Sequence, residues 1–214
     1  MENHFYQIPA HLRPKNEGTD HLFKKGWLEK LTRTHIAIPI TMHMMIIIAF
    51  GYMAFMRLNT ISLILSFSAG WLFWTFAEYA IHRFIYHIPT ENKILLKIQH
   101  LGHGIHHQYP KDPTRLAMPP IPAFLMMAAL FGIYWLIIGE LAFAFFPGFV
   151  AGYLFYISLH YAQHVVKPPS FEPMRKLWKY HAMHHYKHPE DHAFGVSTLL
   201  WDVIFDTLPP KEKS

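Results

Sequence analysis

The chain has 214 residues, no cysteine, 18 histidines against 14 acidic residues, and a formal net charge of +5. The lack of cysteine excludes disulfides, thiolate ligands and iron–sulfur clusters, and the shortage of carboxylates speaks against a metal centre bridged by paired glutamates. Only 15% of residues are charged and 52% are hydrophobic, against roughly 25% charged in soluble domains; this is a membrane composition, and no basic cluster reads as a nucleic-acid site.

Residues 1–35 form a polar, basic leader broken by Pro9, Pro14 and Gly18. It lacks the short apolar core and small-residue cleavage site of a signal peptide. Leu22 to Leu31, with Phe23 and Trp27, fits a short amphipathic helix on a membrane surface. The remainder, 36–214, reads as one domain. Residues 36–56 and 61–81 are two apolar stretches joined by a tight turn at Arg57 and Asn59; about twenty residues rising about 1.5 Å each cross a hydrocarbon core of roughly 30 Å. A polar segment, 82–120, follows. Residues 121–138 and 141–159 make a second hairpin, turned at Gly139 and Glu140, whose return helix carries Pro147 and Gly148 as a kink signal and is expected to end on His160. The rest of the chain is polar.

The two hairpins bring the polar segments to one side. Of the 19 Lys and Arg residues, all but Arg57 fall on that side, which the positive-inside rule makes cytoplasmic. The expected fold is an all-α integral membrane protein, with four transmembrane helices in two hairpins and a helical cap on the cytoplasmic face of a bacterial inner membrane or the endoplasmic reticulum.

Histidine is concentrated in that cap. HRFIYH ends at His87, HGIHH runs from His103 to His107, HYAQH from His160 to His164, and HAMHH from His181 to His185. Residues four apart share a helix face with Cβ atoms roughly 5–6 Å apart, so His103 with His107, His160 with His164, and His181 with His185 can each share one metal ion. His106 and His184 point off those axes, towards a second ion. His82 and His87 are five apart, a spacing that suits a helix end or a locally widened turn. The spacing predicts two sets of five: His82, His87, His103, His107 and His184, then His106, His160, His164, His181 and His185. Imidazole suits zinc, copper, iron or nickel. A single such histidine is ordinary interfacial polarity; ten in repeated spacing are a metal centre.

EYAIHRFIYH (Glu78 to His87), HGIHHQYPKDPTRLAMPP (His103 to Pro120), YLFYISLHYAQH (Tyr153 to His164) and HAMHHYKH followed by FGVSTLLWD (His181 to Asp202) together resemble the fatty acid hydroxylase superfamily. The match covers about residues 70–208. RLAMPP and FGVST…WD narrow it to the fatty acid/sphingolipid 2-hydroxylase branch. The resemblance implies an O2-dependent monooxygenase with two iron ions, replaceable by zinc in purified protein, inserting oxygen beside the carbonyl of a lipid acyl chain. It makes the ten histidines the metal ligands, with no catalytic residue beyond them. His4, His11, His21, His35, His43 and His192 fall outside the pattern, and His100 and His188 match no ligand position. Two departures stand out. Relatives carry an acidic residue after the second tyrosine of the YxxY element, where this chain has Ile157. Many eukaryotic members also begin with a haem-binding domain, for which the 35-residue leader is too short, so electrons are expected from a separate electron-donor protein.

Two external electrons and two protons are required to activate O2, and acceptors for the outer imidazole nitrogens are expected among Glu78, Asp112, Asp191 and Asp202. Lys111 and Arg115 are candidates for an anionic headgroup. The competing readings are a sterol or carotenoid hydroxylase or desaturase of the same superfamily, a membrane metal transporter or sensor, and a bis-histidine haem protein. Transporters place ligands at the bilayer midplane on interrupted helices; here they lie at helix ends and in polar segments. The predicted topology is open to a direct check. Cysteines introduced at Asn3, Lys97 and Ser214 should all resist an impermeant thiol reagent in intact cells, and labelling at position 97 alone would break the two-hairpin arrangement.

Overall fold

In the computed structural model, residues 13–15 and 17–210 are described, and they contain helices and no strand. His4 and His11 lie outside the described residues. Three stretches are long and apolar enough to cross a membrane: Ala37–Arg57, Thr60–Tyr86 and Pro113–Val165. The chain divides into two compact units, one made of residues 21–76 and 117–158, the other of 77–116 and 159–210 with the described leader up to Asp20.

The first unit holds the long helices. Among its described residues the leader contributes one helix, α1 (Gly26–Lys30), much shorter than the amphipathic helix expected from Leu22 to Leu31. Its buried Glu29 accepts hydrogen bonds from the Leu22 and Phe23 amides and pairs with Arg33 at 3.1 Å. These local polar bonds define the segment in place of an apolar stripe. Helix α2 runs Ala37–Arg57 and α3 Thr60–Ile81. Between them the Asn59 side chain accepts from the Ser62 amide at 2.9 Å, an N-terminal cap that starts α3 at once. Helix α6 (Pro120–Ile138) begins with proline in its first turn, where the missing N–H costs nothing. It stops at Gly139, whose φ of +56° needs a residue without Cβ. The α7 helix, Ala142–Val165, runs through Pro147 and past His160 to Val165. The helix expected to end on His160 therefore continues for five more residues.

Close approach of α3 and α7 organises this unit. A Cβ on Gly70 would collide with the Phe145 carbonyl, one on Gly148 with the Phe67 carbonyl, and one on Gly152 with the Trp74 ring at 2.8 Å. Small residues four apart let apolar helices approach backbone to backbone, where dispersion rather than water exclusion holds them. Around that seam Phe50, Phe131, Phe143 and Phe146 pack edge to face, with centroids 4.6–5.4 Å apart in their edge-on pairs. Beyond the turns, Arg57 lies 4.4 Å over the Phe143 ring.

The second unit carries shorter helices: α4 (Lys93–Gln99), α5 (Ile105–Gln108), α8 (Glu172–Tyr186) and α9 (Leu200–Ile204). It also takes in the C-terminal turns of α3 and α7. Two π-helical turns, His82–Tyr86 and His100–Gly104, extend α3 and join α4 to α5.

The α3–α7 seam predicts unequal effects of one added methyl group. Gly148→Ala should cost at least about 1–3 kcal/mol, because the opposing atom is backbone and cannot turn aside. Gly51→Ala, with nothing within 4 Å, should be neutral or mildly stabilising. Thermal unfolding in detergent compares the two; an equal response would mean that the close approach is not what holds α3 to α7.

Candidate metal centre

Histidines enter the second unit from four directions. The end of α3 widens into the π turn at His82, the local widening that a five-residue spacing calls for, and so offers His82 and His87 to one point. The π turn before α5 supplies His103, and α5 itself His106 and His107. Because α7 continues to Val165, His160 and His164 lie on one face of an uninterrupted helix. Helix α8 buries Trp178, His181, Met183, His184 and His185 while Arg175, Lys176 and Lys179 are exposed. The rings therefore cluster at helix C-terminal ends, where the macrodipole favours a cation by about 0.3–1 kcal/mol per helix.

The ring nitrogens gather into two groups. His82, His87, His103, His107 and His184 form one, and His106, His160, His164, His181 and His185 the other, with the candidate ligand atoms of each lying within 4.8 Å of one another. In the first, the Nε2 atoms of His82 and His103 are 2.9 Å apart, those of His103 and His107 3.0 Å, and those of His107 and His184 3.1 Å. In the second, His106 Nε2 lies 3.0 Å from His160 Nε2 and 3.1 Å from His185 Nε2, and His164 lies 2.8 Å from His181. Two nitrogens each about 2.1 Å from one ion and at right angles across it would be separated by about 3.0 Å. The spacing fits a shared ion in each group. The groups touch: His107 of one and His185 of the other stack with centroids 4.2 Å apart.

The chemistry of the donors also fits. Burial pushes His103, His106, His107, His181, His184 and His185 well below the usual imidazole value of 6.5, and neighbouring rings push in the same direction. These imidazoles are neutral at physiological pH and have a lone pair to give. At His82 and His184 a backbone carbonyl fixes which nitrogen carries the proton, and His160 also has a backbone hydrogen bond at Leu116. His82 Nδ1 donates to the Phe194 carbonyl at 2.6 Å, and His184 Nδ1 to the His192 carbonyl at 3.0 Å. A carbonyl only accepts, so Nε2 of both rings is left unprotonated and faces the group.

Sequence reasoning looked for carboxylates in that role and missed these carbonyls, which have no side-chain signal. Glu78 and Asp202 accept instead from backbone amides of residues 194–197. Asp112 accepts from the Thr114 amide and hydroxyl and from Thr19, so it caps the turn Pro113–Arg115, while Asp191 is exposed. Arg115 is not available to a headgroup: its side chain is 6% exposed, 3.9 Å from Asp112, and donates to the Asp20 carbonyl at 2.8 Å. His43, in α2, is wholly buried and donates through Nδ1 to the Pro39 carbonyl at 2.6 Å, the fate expected of a lone histidine on an apolar helix. His21, His35, His100, His188 and His192 belong to neither group.

A family model described as fatty acid hydroxylase matches residues 67–207, which takes in all ten histidines. The chain belongs to the fatty acid hydroxylase family. It is similar to a fatty acid 2-hydroxylase of Mus musculus, 38% identical over 68% of this chain and 40% of that protein. It is also similar to a dihydroceramide fatty acyl 2-hydroxylase of Arabidopsis thaliana, 34% identical over 87% of this chain and 79% of that protein. A solved structure described as full-length Scs7p, with only the hydroxylase domain visible, superposes with a TM-score of 0.84 at 33% identity, covering 94% of this chain and 76% of that one. The chain thus spans less than half the length of the mouse relative.

In this hydroxylase-family chain, burial of so many weakened bases sets the sign of a pH effect. Each of the six imidazoles binds its proton less tightly folded than unfolded, so the unfolded chain takes up protons first as pH falls through 6.5. Stability is full above that value and is lost below it. Chelator-treated protein in detergent should melt at a lower temperature at about pH 5.5 than at about pH 7.5, and an unchanged melting point would mean the rings are not buried neutral.

Proposed function

We propose that this chain is an O2-dependent di-iron monooxygenase that hydroxylates carbon 2 of lipid acyl chains, either free fatty acids or the acyl chains of sphingolipids. The observation that carries the reading is the pair of buried five-nitrogen groups, supported by the names of the mouse and Arabidopsis relatives. His82, His87, His103, His107 and His184 would hold one ion, and His106, His160, His164, His181 and His185 the other. When bound, the iron pair supplies the redox chemistry by which O2 attacks an unactivated C–H bond, with zinc a ready substitute in purified protein because divalent affinity stays high there.

The protein's own residues do the rest. Neutral imidazoles bring no charge, so bound ions would keep their full positive charge in a largely buried site, where electrostatic interactions are strong. Five donors per ion leave room for a further ligand. The π turn at His82 and the stacked His107–His185 pair hold the two groups at fixed separation. Four crossings by α2, α3, α6 and α7 would leave the histidines on the cytoplasmic face, where a separate electron-donor protein reaches them. The acyl carbonyl then sits at the interface and the tail runs along the apolar helices.

Expression with a suitable electron donor in a host lacking such an enzyme should add one oxygen at C2 of long acyl chains, in an O2-dependent reaction giving one stereoisomer. Purified protein should contain two metal ions per chain without haem absorbance. His107→Ala or His184→Ala should abolish product, by more than about 100-fold. Oxygen at C3 or C4, or in a sterol or carotenoid, would overturn the 2-hydroxylase reading; one ion or none in an active preparation would overturn the ligand sets.

A further inference from the structure

The backbone amides of Phe194, Gly195, Val196 and Ser197 follow one another along the chain, and two buried carboxylates take all four. Asp202 Oδ1 accepts from Phe194 N at 2.9 Å and Oδ2 from Gly195 N at 2.8 Å. Glu78 Oε1 accepts from Val196 N at 2.7 Å and Ser197 N at 2.9 Å, and Oε2 from the Ser197 hydroxyl. Asp202 is wholly buried and Glu78 is 5% exposed, so each carboxylate depends on these amides for solvation. Further contacts tighten the clamp. The Thr207 hydroxyl donates to Asp202 Oδ1 at 2.7 Å, the Ala193 amide donates to the Thr207 carbonyl at 2.8 Å, and Ala193 has a φ of +59°. A Cβ on Gly195 would lie 2.6 Å from Asp202 Oδ2, so only glycine admits this approach. The clamped strap contains both carbonyls, Phe194 and His192, that receive the Nδ1 protons of His82 and His184.

We propose that Glu78 and Asp202 are positioning residues which, through residues 192–197, fix the tautomer and orientation of His82 and His184 and so set the metal affinity of one of the two groups. They touch no ring themselves. Both rings tethered to this strap belong to the group containing His87, His103 and His107. The metal half of this statement rests on the ligand reading given above; the tautomer half does not. Orienting partners of histidine ligands typically account for about 10–100-fold in metal affinity.

The test uses the full chain in detergent, with Glu78→Gln, Asp202→Asn and the milder Ser197→Ala, which removes one hydrogen bond and leaves both carboxylates. Exposed Glu172→Gln on α8 is the control. Chelator titration should show one ion per chain held about 10–100-fold more weakly in the carboxylate variants, a smaller change of the same kind in Ser197→Ala, and both ions unchanged in the control. Two ions held as in the unmodified protein, or both weakened in parallel with the melting temperature, would overturn the proposal, since a purely structural role moves both. Nitrogen-15 spectra of histidine-labelled, metal-free protein give a readout independent of metal. His82 and His184 should show Nδ1 protonated in the unmodified chain and a tautomer mixture in Glu78→Gln and Asp202→Asn; an unaltered spectrum would sink the positioning role. If the unmodified chain bound no metal yet the tautomers shifted, the ligand reading would fall and the positioning role would stand.

Discussion

Ten imidazoles buried together are unfavourable unless their lone pairs have a common target. Rings gathered in this way lose water, and low-dielectric surroundings raise the cost of leaving a nitrogen unsatisfied. The nitrogens of each group lie within 4.8 Å of one another and share few donors, because a neutral ring carries one N–H for two nitrogens. A cation at the centre of each group resolves both problems together. The arrangement around it follows from that need: helix C-termini aimed inward, a π turn where the spacing is five, and carbonyls behind two of the rings. The buried carboxylates Glu78, Asp202 and Asp112 are already occupied by amides and hydroxyls.

Much of this was legible in the sequence because periodicity transmits well. His103 with His107, His160 with His164 and His181 with His185 sit four apart, and a helix has no choice but to face each pair the same way. The five-residue interval of His82 and His87 required a departure from regular helix, and a π turn is that departure. Helix ends in the apolar stretches were read to within a residue where a cap or glycine marks them, at Asn59 and Gly139. The end of α7 was misjudged because polarity was taken as a stop signal. Inside this unit His160 and His164 face other buried rings, so the helix has no reason to unwind before Val165.

What the sequence hid were interactions made by backbone. The Phe194 and His192 carbonyls leave no trace in side-chain identity, so carboxylates were expected where peptide groups stand. Arg115 illustrates the opposite error. A cation near an apolar segment suggests an anionic headgroup, but Asp112 and the Asp20 carbonyl hold it almost fully buried, and the RLAMPP segment is a corner leading into the proline start of α6. Residue 157 shows a third limit: Ile157 is 1% exposed within the long-helix unit, and that burial explains why an apolar side chain suits the position.

Two of the four segments that carry the family resemblance turn out to be partners. EYAIH supplies Glu78 and His82, and FGVSTLLWD supplies the amides Glu78 binds, the carbonyl His82 binds, the glycine that lets Asp202 approach, and Asp202 itself. Neither segment is intelligible alone: a buried glutamate on an apolar helix has no solvation without the strap, and a strap of four unpaired amides has no acceptor without the glutamate and aspartate. The Phe194 side chain is buried as well and packs its ring against His82, His87 and His184. The fixed elements are the two carboxylates and Gly195. Two rings of the histidine cluster are thus held by peptide groups, and those peptide groups are held in turn by Glu78 and Asp202.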